Sequence, residues 1–107
     1  MYNQIDDIQM AIDWFKQSLY RNISMYGENH IQVANCYQII ANAYQNLEHF
    51  RKALEFQELS HNILTKLYKA DDIIVMNSLA TIDQLTKLSV QKEYSKIAEQ
   101  RSKFIVF

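Results

Sequence analysis

Residues 33–54 read VANCYQIIANAYQNLEHFRKAL, and the spacing inside this stretch decides the fold. Val33, Ala34, Tyr37, Ile40, Ala41 and Tyr44 recur at intervals of three and four, the period of one face of an α-helix. Phe50, Ala53 and Leu54 open a second pattern of the same kind, continued by Phe56, Ile63, Leu64 and Leu67. The first pattern predicts a helix over about 31–47 and the second a helix over about 50–69. So short a connection forces neighbouring helices to run antiparallel, and the pair reads as a helical hairpin.

Outward from the hairpin the pattern repeats. Ala11, Ala53 and Ser95 stand 42 residues apart, and so do Ser18, Ser60 and Ser102. The same shift lays Tyr26 on Tyr68, Ile31 on Ile73, Val33 on Val75, Asn35 on Asn77, Ile40 on Ile82 and Trp14 on Phe56. A fixed period of this size marks a repeat array, in which one unit cannot bury its apolar face alone and stacking supplies the core.

Ile8, Ala11, Ile12, Phe15, Leu19 and Ile23 place an amphipathic helix over about 4–26, stopped by Gly27, with Asn29 as the expected cap of the next helix. A fourth helix is expected over about 73–90, capped by Asp71 or Asp72, with Ile74, Leu79, Ile82, Leu85 and Leu88 as its apolar positions. A fifth is expected over about 92–105, with Tyr94, Ile97, Ala98 and Phe104. The repeat phase makes it the counterpart of the first and third. The chain therefore reads as one all-α domain over 1–107, a solenoid of about five antiparallel helices in about two and a half units. Solenoids need roughly three, so an open apolar end is expected. It would pack on a partner, on a second copy or on further parts of its own polypeptide.

Composition agrees with helices and excludes several function classes. Proline is absent and Gly27 is the single glycine, so the punctuation of β-turns is missing. A formal charge of −1 is not the footprint of a dedicated nucleic-acid binder. The charge is polarised, however: Lys87, Lys92, Lys96, Arg101 and Lys103 near the C-terminus face only Glu93 and Glu99. Within that run Lys92, Lys96 and Lys103 are the candidate contacts for RNA or an acidic partner, although a solvated helix face is the better account of the run. The single cysteine, Cys36, has no intrachain partner, which together with the lack of a leader-like start predicts a cytoplasmic setting. No apolar run approaches the roughly 20 residues that span a bilayer.

Nothing in the sequence assembles a reaction centre. His30, His49 and His61 lack metal-ligand spacing, and a zinc pattern would need a second cysteine. His30 is expected at a junction, His49 in a loop and His61 on the surface of the third helix. Cys36 reads as a small inert hydrophobe, and Asp6-Asp7 and Asp71-Asp72 as helix-start carboxylates. With no glycine-rich loop either, neither an enzyme activity nor a cofactor is expected.

The run Val33-Ala34-x-x-Tyr37-x-x-Ile40-Ala41-x-x-Tyr44, followed by Phe50-x-x-Ala53-Leu54, resembles the tetratricopeptide consensus. Tyr26-Gly27-Glu28-Asn29-His30 is similar to the junction of 42-residue units of kinesin-light-chain type. Taken with Glu48-His49-Phe50-Arg51-Lys52-Ala53-Leu54 and Leu85-Thr86, the pattern resembles the tetratricopeptide region of the clustered-mitochondria family, large cytosolic proteins linked to mitochondrial distribution and messenger RNA binding. The resemblance implies a noncatalytic protein-binding module. Its alternatives are a kinesin-light-chain-like cargo adaptor and the helical C-terminal region of a SET and MYND type methyltransferase. Against the cargo reading, Gln38-Ile39 and Ala80-Thr81 stand where kinesin light chains carry paired asparagines. In tetratricopeptide arrays the first helix of each unit lines the concave surface. The resemblance thus makes Asn35, Gln38, Asn42, Gln45 and Asn46 the candidate protein-binding residues.

Overall fold

The structure, a computed structural model, describes the chain over residues 4–104 and its side chains over 6–101. Four helices follow one another: α1 (Gln4–Tyr26), α2 (Ile31–Asn46), α3 (Phe50–Leu67) and α4 (Ile73–Phe104). Each lies beside its chain neighbour, α1 on α2, α2 on α3 and α3 on α4. The result is a row one helix thick, 61 × 41 × 17 Å.

The core lies along the seams of this row. Val33, Ala34, Ile40 and Ala41 of α2, Ala53 of α3, Ile12 of α1 and Leu85 of α4 are each at most 1% exposed. Two edges of α2 divide the work. Cys36, on the α1 side, accepts a hydrogen bond from Asn22 Nδ2 at 3.1 Å. Ala34, Tyr37 and Tyr44 face α3, where the Phe56 ring lies 6.1 Å from that of Tyr37 and 5.6 Å from that of Tyr44. The ammonium of Lys16 on α1 lies 5.7 Å from the Tyr44 ring and 5.9 Å from that of Phe56, a cation–π contact that joins α1 to the aromatic seam of α2 and α3.

Local chemistry sets the helix ends. Gly27 takes φ 84° after α1, a left-handed conformation open to glycine without steric cost. The cap of α2 is His30 in place of the expected Asn29: its Nδ1 accepts the Gln32 N–H at 3.1 Å and its ring stacks on Tyr26 at 4.3 Å. Asn29 instead accepts from Lys66 Nζ. Asp72 caps α4, accepting the Ile74 N–H at 3.0 Å.

The all-α fold stands, with four helices in place of about five. The expected fourth and fifth helices are one continuous rod, α4, and the sequence contains the reason. In the α2–α3 turn Glu48 adopts φ 60°. Its counterpart 42 residues on is Val90, whose β-branched side chain strongly disfavours that conformation. With no glycine or proline nearby, the helix runs straight through. Smaller corrections follow from the open edges: Leu67, Ile74 and Leu79, expected at buried positions, are exposed, while Val75 is buried in their stead.

Candidate functional site

The polar face of α2 is built by helical spacing alone. Asn35, Gln38, Asn42 and Asn46 fall on one side of the helix and are exposed. Gln45, expected beside them, is half-buried. Because α2 is clasped by α1 on one edge and α3 on the other, this face is presented on a rigid support.

One turn of the row away, α4 offers a parallel wall. Between the two runs a groove of about 200 Å³, floored by Leu64 of α3 and walled by Gln38 of α2 and by Ile74, Asn77, Ser78 and Thr81 of α4. Of the five candidate amides, Gln38 is the one that lines this groove. Asn77, the repeat counterpart of Asn35, lines it from α4. An amide side chain carries both donors and an acceptor, which matches the alternating N–H and C=O of an extended peptide.

Below the groove lies a polar cluster that the sequence reading missed. Ser78, 6% exposed, accepts from Gln57 Nε2 at 3.3 Å, and its Oγ lies 3.1 Å from His61 Nδ1. Gln57 is 1% exposed and its Oε1 has no protein hydrogen-bond partner. His61 is therefore half-buried between α3 and α4, not on the open surface expected of it. His30 and His49 do occupy a junction and a loop. Among the described residues no group of three or more His, Cys, Asp or Glu is placed to hold a metal ion. Tyr37 is the one side chain there whose titration is clearly displaced: burial raises its phenol above 10.0, aided by the charge of Glu28 and by Tyr20.

The candidate basic residues sit elsewhere, at the α2–α3 turn. A second hollow of about 220 Å³ there includes Phe50, Arg51, Lys52, Lys92, Glu93 and Lys96 in its lining. Lys92 donates to the Glu48 carbonyl and lies 5.8 Å over the Phe50 ring, and Arg51 pairs with Glu93. Lys92 thus ties α4 to the turn, whereas Lys96 lines the hollow and is exposed. The Lys103 side chain lies outside the described residues. No helix among those described is long and apolar enough to cross a membrane.

Residues 1–66 match the family model described as tetratricopeptide repeat. No curated protein and no solved structure matches the chain.

Proposed function

The chain belongs to the tetratricopeptide repeat family, and from that premise we propose that it is a noncatalytic module holding an extended segment of another protein in the groove between α2 and α4. One observation carries the reading: Gln38 of α2 and Asn77 of α4 line the same groove, together with the apolar Leu64 and Ile74. Apolar contact removes water from the segment, and amides in that drier setting gain most from pairing with its backbone. The likeness to clustered-mitochondria and kinesin-light-chain proteins rests on residue resemblance alone and carries no part of this reading.

A peptide display library selected on the immobilised chain tests it, with affinities of the winners measured by fluorescence polarisation. Gln38→Ala combined with Asn77→Ala is expected to weaken binding about tenfold, the equivalent of about 1.4 kcal/mol. Gln17→Ala on α1 is the control and should leave affinity unchanged. A library yielding no binders, or binders indifferent to the double variant, sinks the proposal.

A further inference from the structure

The inner helices of the row have both edges covered, whereas α4 has one. Val75, Ser78 and Leu85 turn inward and are buried against α3. On the flanking face, roughly 100° round the helix, Met76, Leu79, Asp83, Thr86, Val90, Tyr94, Ile97 and Arg101 form one stripe along the rod. Its large apolar members are exposed: Met76 54%, Leu79 57%, Val90 59%, Tyr94 74% and Ile97 54%. At 1.5 Å per residue the stripe is about 38 Å long. It lies away from the groove proposed above for a peptide, so the two surfaces are independent.

The repeat says what belongs on it. Shifting Ala34, Tyr37, Ala41 and Tyr44 of α2 by 42 gives Met76, Leu79, Asp83 and Thr86, so the bare stripe is the counterpart of the edge that α3 covers on α2. The same shift carries α3 onto the segment from Lys92 onward. This segment would fold back on α4 if the chain turned at Val90. It does not turn, so the groove of about 600 Å³ at Met76, Leu79, Ala80, Ile82, Asp83 and Thr86 is left open, and the segment from Lys92 onward projects past its end. Neither half can reach the other within one straight rod.

We propose that two copies of the chain pair through α4, antiparallel about a two-fold axis, each laying its residues 90–101 on the Met76–Thr86 groove of the other. The outer half of each α4 thus covers the groove left bare on the other molecule. Pairing the stripe with an antiparallel copy of itself, centred between Thr86 and Val90, sets Leu79 against Ile97, Ile82 near Tyr94 and Thr86 against Val90. The direction is that of the α2–α3 pair, but the contact is made by the Tyr94–Ile97 face and not by the Ser95–Ala98 face that corresponds to Ala53 and Phe56 of α3. Charge agrees with that direction. Arg101 of one copy comes to the acidic start of the other α4 at Asp72, which a parallel pair would keep apart.

Light scattering over a concentration series tests the pairing on the 107-residue chain. The expected mass rises toward about 25 kDa, twice the 12.7 kDa of one chain. A constant monomer mass into the high micromolar range overturns the proposal. Leu79→Arg and Ile97→Arg, both at exposed sites, should shift the dissociation constant at least about tenfold with unchanged helical circular dichroism; a dimer indifferent to both overturns it. Trp14→Arg, on the exposed edge of α1, is expected to leave the mass unchanged, and loss of the dimer there would place the contact on α1 instead. Direction is read by disulfide trapping. A mixture of Leu79→Cys and Ile97→Cys chains should yield the mixed dimer, whereas self-linking of Leu79→Cys would show a parallel pair.

Discussion

Ser60, wholly buried in α3, donates its hydroxyl to the Ala34 carbonyl of α2 at 2.9 Å. The bond requires two small side chains at the crossing, and it fixes the rotation of one helix against the other. Ser60→Ala keeps the close approach and loses the bond, so it should cost about 1 kcal/mol in a urea titration. Ser60→Leu adds bulk at a filled seam and should cost at least as much.

Ala53 is the other small residue of this seam and is 0% exposed. Ala53→Leu should cost about 1 to 3 kcal/mol through overpacking. An unchanged melting temperature would mean that the α2–α3 seam is not packed as described.

Glu48 closes the α2–α3 turn at φ 60°, a conformation that disfavours any side chain. Lys92 reaches this residue through its backbone carbonyl, which glycine retains. Glu48→Gly is therefore expected to raise stability, by up to about 1 kcal/mol, in the same titration. A loss of stability would show that the Glu48 side chain carries a contact worth more than the strain.

Tyr37 supplies a pH dependence. Its phenol is raised in the folded chain, first by burial and then by Glu28 and Tyr20, so the unfolded chain loses this proton first. Its contribution to stability is intact below pH 10.0 and declines as pH climbs from there through the raised folded value. Tyr37→Phe should flatten that decline. Equal slopes above pH 10.0 for wild type and variant would contradict it.

Helix type and the α2–α3 hairpin were legible because apolar periodicity reports directly on burial. The small-residue comb was legible only at its middle teeth. Ala53 and Ser60 are buried, while Ser18 and Ser95 are exposed because they fall on edges with no neighbour. The repeat also misled: it implied a turn near Val90, but a period records ancestry of the pattern and not whether each copy keeps a residue able to turn. Gln57 was invisible for another reason. A glutamine reads as surface by type, and only the proximity of Ser78 shows why one is tolerated inside. Of the five amides expected on one face, four are exposed together and Gln45 is half-buried, a difference that residue type does not signal. Spacing had no means of showing that Gln38 alone meets a second wall from α4.

A slab 17 Å thick, in which each helix lies beside its neighbours in the chain, has a kinetic consequence. Every seam closes over a short loop, so little chain entropy is spent before contacts form, and low contact order of this kind goes with fast folding. Assembly can begin at the α2–α3 hairpin, which already holds the Tyr37, Tyr44 and Phe56 rings, and spread outward one helix at a time. The same locality means that loosening begins at the two outer helices, so amide protons of α2 and α3 should be the last to exchange with solvent.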